Sequence, residues 1–160
     1  MASWKARPII FGMEPQTPTA TNTGSSDYSS WAKIVIVEDE AALAEIYKTR
    51  LELLGYICFV AREGIEALAI IEKERPSLVL LDLMMPKLAG SQVLQIMRSN
   101  DWGKDIKVLV ITNLNESEAP AGLRNFGIED YVVKANLSDD QIDKLVAKAM
   151  ASGSDTTTKV

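Results

Sequence analysis

Five short apolar runs alternate with amphipathic stretches between residues 33 and 150, and this alternation constrains the fold more than any other feature. Lys33–Val37, Ile57–Ala61, Ser77–Leu81, Ile106–Ile111 and Tyr131–Val133 are too short for helices and rich in Val, Ile and Leu, so they read as strands. Between them, residues 40–54 set Leu43, Ile46, Tyr47, Leu51 and Leu54 on one helical face, with Gly55 as the stop. Residues 63–74 place Ile65, Leu68, Ala69 and Ile71 on a second helix, ended by Pro76. Residues 90–98 place Val93, Leu94 and Met97 on a third. Asn115 and Glu118 mark a fourth helix start, a poor one because Pro120 and Gly122 fall in its first two turns. Ser138–Gln141 reads as a capping box before a fifth helix bearing Ile142, Leu145, Val146, Ala149 and Met150. The strands are apolar at nearly every position, which requires both sheet faces to be covered. Strict βα alternation with right-handed crossovers predicts an α/β fold: a doubly wound, five-stranded parallel sheet of order 2-1-3-4-5, flavodoxin-like, with helices on both faces.

Composition then removes whole classes of chemistry. The 160 residues contain no His, which excludes His-ligated metals and histidine bases. The single Cys58 has no internal disulfide partner and reads as core. With 17 Lys+Arg against 22 Asp+Glu the net charge is -5. A surface this acidic predicts no direct nucleic-acid partner and no docking on anionic lipid. No apolar run reaches the ~18–20 residues of a membrane span, and no signal-peptide core is evident, so a cytoplasmic setting is expected. Residues 1–30 hold twelve Pro, Ser or Thr and read as a flexible tail, with a more apolar patch from Trp4 to Met13; residues 151–160 read as a second tail. The domain is placed at 31–150. Only about ten residues follow the last predicted helix, so no output domain is expected there.

The strand ends carry the chemistry. Glu38 and Asp39 follow the first strand, Asp82 the third, Thr112 the fourth and Lys134 the fifth. In a parallel sheet these carboxyl ends share one edge, where open α/β proteins bind ligands. The second strand ends in Ala61 and Arg62 and falls outside the group. Three carboxylates together repel: two unit charges 4 Å apart cost about 4 kcal/mol at an effective dielectric of 20. A cation or a proton must compensate, and oxygen-only donors suit a hard ion such as Mg²⁺. A carboxylate nucleophile, a hard divalent ion, an ammonium and a hydroxyl together form a phosphoryl-transfer site.

At these residues the chain resembles the receiver domain of two-component response regulators, most closely the single-domain chemotaxis type. The resemblance spans 33–150 and rests on Ile-Val-Glu38-Asp39-Glu, Leu-Leu-Asp82-Leu-Met-Met-Pro86-Lys-Leu-Ala-Gly90, Val-Ile-Thr112-Asn and Asp130-Tyr131-Val-Val-Lys134. It implies that Asp82 accepts a phosphoryl group from a histidine kinase or phosphotransfer protein. Asp39 and Asp82 would hold Mg²⁺ directly, Glu38 through metal-bound water, with the Met84 backbone carbonyl completing the protein ligands. Lys134 and Thr112 would bind the phosphoryl oxygens, and Tyr131 would swing from exposed to buried. Output would be a changed protein contact or a self-dimer through the face of the fourth helix, fifth strand and fifth helix.

Several positions depart from the family pattern. Ala135 follows Lys134 where proline is usual, which leaves a reshaped trans loop or a strained cis bond open. Ala89 precedes Gly90 in place of a polar residue, and Asn113 stands where a small residue is common. Met84 and Leu114 are apolar where the family tunes access of hydrolytic water, so slow loss of the phosphoryl group is expected and no enzymatic turnover beyond it. A phosphorylation-independent scaffold is the alternative. A haloacid-dehalogenase-like phosphatase would need an Asp where Met84 stands, and a flavodoxin-like cofactor binder would have to place a phosphate beside Glu38-Asp39-Glu40.

Overall fold

The structure, a computed structural model, describes residues 32–138 and 140–152. The expected N-terminal tail, residues 1–30 with the Trp4–Met13 patch, lies outside the described residues, as do Trp31, the first residue of the expected domain, and the C-terminal tail beyond Ser152. Five strands, β1 (Lys33–Val37), β2 (Ile57–Ala61), β3 (Leu78–Leu81), β4 (Lys107–Thr112) and β5 (Asp130–Val133), form one parallel sheet in the order β2-β1-β3-β4-β5. The helices are α1 (Ala41–Leu53), α2 (Gly64–Glu74), α3 (Gly90–Ser99) and α4 (Gln141–Ala151). The predicted doubly wound architecture is therefore the observed one.

The sheet is buried on both sides, and its side chains divide with the period of two that a strand imposes. Val35, Val37, Val79, Leu81, Val108 and Val110 pack with Ala67 and Ile71 of α2 and Val93, Leu94 and Met97 of α3. Ile34, Ile36, Leu78, Leu80, Leu109 and Ile111 pack with Tyr47 and Leu51 of α1 and Ile142, Val146 and Ala149 of α4. Because each strand feeds two cores, its sequence shows no alternation of apolar and polar. Cys58 is buried in the second core, as expected.

Two expectations require correction. The fourth predicted helix does not form. Half of the Asn115–Glu118 signal is made, with the Asn115 N–H donating to Glu118 Oε2 at 2.9 Å, while the Asn115 side chain caps no N–H, and only a 3-10 turn follows at Glu116–Glu118. Pro120 lacks the N–H that a helix would direct at Glu116, and it holds the preceding Ala119 extended at φ -65, ψ 151. Gly122 then turns left-handed at φ 78, and a second 3-10 turn, Leu123–Phe126, seals the sheet with Leu123 and Phe126. The expected docking face of fourth helix, fifth strand and fifth helix thus has two 3-10 turns in place of its first member. At α4 only half of the predicted capping box is seen: the Ser138 N–H donates to Gln141 Oε1 at 2.8 Å, and the helix begins at Gln141 without a side-chain cap.

Register delivers the site. Val37 pairs with Leu81, Leu81 with Val110 and Thr112 with Val133. Residues 38, 82, 112 and 134 therefore leave the sheet at nearly one level, around the point where strand order reverses between β1 and β3.

Candidate functional site

Asp82 follows β3 and is 4% exposed, between Glu38 at 2% and Thr112 at 0%. Its backbone N–H donates to Val37 O at 3.0 Å, so the β1–β3 pairing itself fixes the start of the loop. Both carboxylate oxygens are engaged. Oδ1 accepts from Thr112 Oγ1 at 2.8 Å and from the Met84 N–H at 2.9 Å; Oδ2 accepts from Lys134 Nζ at 2.6 Å. Lys134 also reaches Glu38 Oε2 at 2.5 Å, and Glu38 Oε1 accepts from the Glu40 N–H at 3.1 Å. Among the described residues no buried side-chain polar atom lacks a partner.

The electrostatics follow from burial. Burial pushes the Glu38 carboxyl above its ordinary 4.5, although hydrogen bonds from Lys134 and the Glu40 backbone oppose the rise. Burial alone would lower the Lys134 ammonium. Its hydrogen bonds to Asp82 and Glu38 outweigh that effect and hold it above the usual lysine range.

Glu38, Asp39 and Asp82 each offer a carboxylate oxygen within 4.8 Å of the others. Asp39 is exposed, so the cluster opens to solvent on its side. Three carboxylates and one ammonium leave a formal charge of minus two, which a divalent cation would balance. The donor set is all oxygen, as a hard ion requires. The residues present therefore fit Mg²⁺.

The structure thus brings Glu38, Asp39, Asp82, Thr112 and Lys134 together. Met84 contributes its N–H to Asp82, while its side chain is 54% exposed. Tyr131 is half-buried, 20 residues of chain beyond Ile111, and its hydroxyl donates to Leu114 O at 3.0 Å on the loop that follows Thr112. The Lys134–Ala135 bond is trans, since no described peptide is cis. Lys134 opens a 3-10 turn, Lys134–Asn136, and still reaches Asp82, so Ala135 does not displace the ammonium.

Two residues were missed or undervalued in the sequence. Gly90 packs so closely under the site that a Cβ there would lie 2.0 Å from the Asp82 carbonyl oxygen. Arg62, expected to stand outside the group, donates from Nη2 to the Asp39 carbonyl oxygen at 2.9 Å. No periodicity or spacing announces such a contact, because it joins an exposed side chain to a backbone atom.

Comparison with known proteins agrees with this geometry. Residues 34–147 match the family described as response regulator receiver domain. The chain is 43% identical over 103 residues to a protein of Porphyridium aerugineum named "Probable transcriptional regulator ycf27", the match covering 64% of this chain and 41% of that relative. The chain therefore spans about two fifths of the length of the curated relatives it matches. Among solved structures, the receiver domain of a Francisella response regulator is 28% identical, with a TM-score of 0.64, covering 74% of this chain and 96% of the other. The receiver domain of the Pseudomonas aeruginosa sensor histidine kinase PA1611, solved with magnesium in its active-site cleft, has a TM-score of 0.68 at 21% identity, covering 76% and 98%. One expectation falls here. The absence of a direct nucleic-acid partner does not stand, because curated relatives that the chain matches, that of Porphyridium aerugineum among them, are named probable transcriptional regulators. Net charge was a poor guide, since it averages over a chain that corresponds to less than half of such a relative. Among the described residues no helix is long and apolar enough to cross a membrane.

Proposed function

This chain belongs to the response regulator receiver domain family, and on that premise we propose that it is a phosphorylation-activated switch in which Asp82 accepts a phosphoryl group from a histidine kinase or phosphotransfer protein. The observation that carries this reading is the grip on Asp82: Thr112 at 2.8 Å on one oxygen and Lys134 at 2.6 Å on the other, with Glu38 and Asp39 alongside. The setting is taken to be cytoplasmic.

In the transfer, an Asp82 oxygen attacks phosphorus, an O–P bond forms, and the N–P bond of the donor histidine breaks. Asp39 and Asp82 would hold Mg²⁺ directly, with Glu38 behind them and the Met84 carbonyl beside them. When bound, the ion neutralises charge on the transferring phosphoryl group. Every other part of the work belongs to the chain. The β1–β3 register holds the carboxylate at the sheet edge. Lys134 offsets the negative charge that develops on the equatorial oxygens. Once one carboxylate oxygen is esterified, Thr112 and Lys134 have three new acceptor oxygens and an added charge of about -1.5 to -2 within reach. A shift of Thr112 toward them pulls on the loop whose Leu114 carbonyl holds the Tyr131 hydroxyl. That hydrogen bond links Asp82 to the outer surface, and it is the element that phosphorylation biases.

Hydrolysis of the acyl phosphate is slow in this reading, because Met84 and Leu114 set apolar side chains where attacking water would approach. The protein has no other turnover. The relatives' name suggests transcriptional output as the destination of the signal, delivered through the surface formed by the two 3-10 turns, β5 and α4. Intact mass after incubation with acetyl phosphate and Mg²⁺ tests the chemistry. Wild type gains one phosphoryl group and Asp82→Asn gains none; equal gain by both variants refutes the assignment.

A further inference from the structure

Two of the three acids in the site are fixed through their own carboxylates. Asp82 is held by Thr112, Lys134 and the Met84 N–H, and Glu38 by Lys134 and the Glu40 N–H. Asp39 differs. It is exposed, and among the described residues the side-chain contact that fixes it runs through its backbone, from Arg62 Nη2 to its carbonyl oxygen at 2.9 Å.

Arg62 is well placed for this task. Its own N–H donates to Glu66 Oε2 at 2.8 Å, in the first turn of α2. The loop it stands on is tied to the loop after β3 by the Lys87–Glu63 ion pair at 2.6 Å and by the Gly64 N–H, 3.4 Å from Pro86 O. Asp39, Arg62, Glu63, Glu66 and Pro86 line one open cleft of about 410 Å³. The connection after β2 therefore clasps both loops that carry the acids, one through Arg62 and the other through Glu63.

We propose that Arg62 is a positioning residue for the metal site, holding the Asp39 backbone so that its exposed carboxylate stays beside those of Glu38 and Asp82. This inference rests on the reading of the three acids as Mg²⁺ ligands. An opposing effect exists, because a guanidinium near a divalent cation repels it. The two effects have opposite signs on removal of Arg62. Lost positioning weakens Mg²⁺ binding, whereas lost repulsion strengthens it. The side chain is exposed, so the repulsion acts through water, whose high dielectric leaves only a weak interaction between the two charges. The hydrogen bond acts on the backbone of the ligand residue itself, so its loss frees the loop that carries the Asp39 carboxylate, and positioning prevails.

The test is isothermal titration of Mg²⁺ alone into the full 160-residue chain at 0.15 M salt. In Arg62→Met, which keeps the stem and loses the donors, the Kd for Mg²⁺ rises about three- to tenfold, while the metal-free thermal midpoint stays that of wild type. Arg62→Lys, which restores a donor on a long stem, binds within about twofold of wild type. An Arg62→Met protein that binds Mg²⁺ as tightly as wild type, or more tightly, overturns the proposal. Asp39→Asn separates the two layers: it abolishes binding if the metal reading holds, and binding unchanged in Asp39→Asn sinks that reading whatever Arg62 does.

Discussion

The ammonium of Lys134 lies 2.6 Å from the carboxylate of Asp82, although 52 residues of chain separate them. Parallel register alone brings them together, through the pairings of β3 with β4 and of β4 with β5. The Lys134 side chain is 10% exposed and that of Asp82 4%, so the pair is inside the protein. A buried pair contributes little net stability compared with apolar packing, but its rupture is costly because one charge is left behind.

Lys134→Met therefore destabilises the fold in Mg²⁺-free buffer by about 3–5 kcal/mol. Asp82 and Glu38 lose their shared cation together, and like charges remain buried side by side. Urea unfolding reads the loss directly. Added Mg²⁺ restores part of it in the variant, since the ion binds only the folded cluster. A variant as stable as wild type without Mg²⁺ would show that the ammonium is dispensable to the resting protein.

Gly90→Ala tests the floor of the site. A Cβ at this position meets the Asp82 carbonyl oxygen at 2.0 Å and Leu83 Cα at 2.8 Å, and both are backbone atoms that cannot swing aside. Overpacking of this kind costs about 1–3 kcal/mol or more. The relaxation that relieves it moves Asp82 relative to Thr112 and Lys134. The expected result is a lower urea midpoint together with slower labelling by acetyl phosphate. Wild-type behaviour in both assays would contradict the close approach.

The sheet and the acid site were legible in the sequence for one reason: each strand carries a short apolar run, and four of the functional side chains are the first polar residue after such a run, with Asp39 one residue further on. Glu38, Asp82, Thr112 and Lys134 all follow that rule. The fourth helix was not legible because the Glu118 half of the Asn115–Glu118 cap signal is made in the structure, yet a cap starts a helix without extending it. Pro120, five residues after Asn115, decides the outcome. Arg62 was invisible for a different reason. Its role depends on the φ/ψ path of two loops, and residue type alone does not encode which carbonyl a long side chain meets.

Cys58 is expected to be inert. Burial, with Glu52 nearby, pushes its thiol from an ordinary 9.0 up to about 12, and the thiolate is the reactive species. Iodoacetamide labelling at pH 8 should follow the opening rate of the fold, rising in urea in step with unfolding. The linkage has a defined sign. Between pH 9 and 12 the unfolded thiol has ionised while the folded one keeps its proton, so this group lowers stability as pH rises through that window. Rapid labelling of the native protein would place the thiol at the surface.

Phosphorylated wild type should decay slowly, with a half-life of minutes or longer in Mg²⁺ buffer, because Met84 and Leu114, two residues after Asp82 and Thr112, are apolar at the positions that in receiver domains tune access of the hydrolytic water. Met84 is the better handle, being 54% exposed and therefore replaceable without damage to the core. Met84→Asn gives an attacking water a polar neighbour and should shorten the half-life severalfold, as read by loss of the phosphorylated species in the intact mass. A half-life of seconds in wild type contradicts the assignment of these two side chains.

The non-helical passage between β4 and β5 has two separable causes, and both can be removed. Pro120 has no N–H for the α-helical bond to Glu116, whose carbonyl instead accepts from the Ala119 N–H at 3.2 Å, and it keeps Ala119 extended, while Gly122 adopts φ 78, which disfavours any side chain. The double variant Pro120→Ala/Gly122→Ala should convert the passage toward α-helix. Alanine regains about 3 kcal/mol of helix propensity at the first position and about 1 at the second, and the Asn115–Glu118 hydrogen bond is already in place to start it. The cost falls on the existing geometry, since Leu123 must leave the turn in which it is 4% exposed. Far-UV circular dichroism should therefore gain one to two turns of helix (about 4–7 residues at 3.6 per turn), and hydrogen exchange should slow across residues 116–126. An unchanged spectrum would mean that the packing of Leu123 and Phe126 on the sheet, rather than Pro120 and Gly122, fixes this segment's conformation.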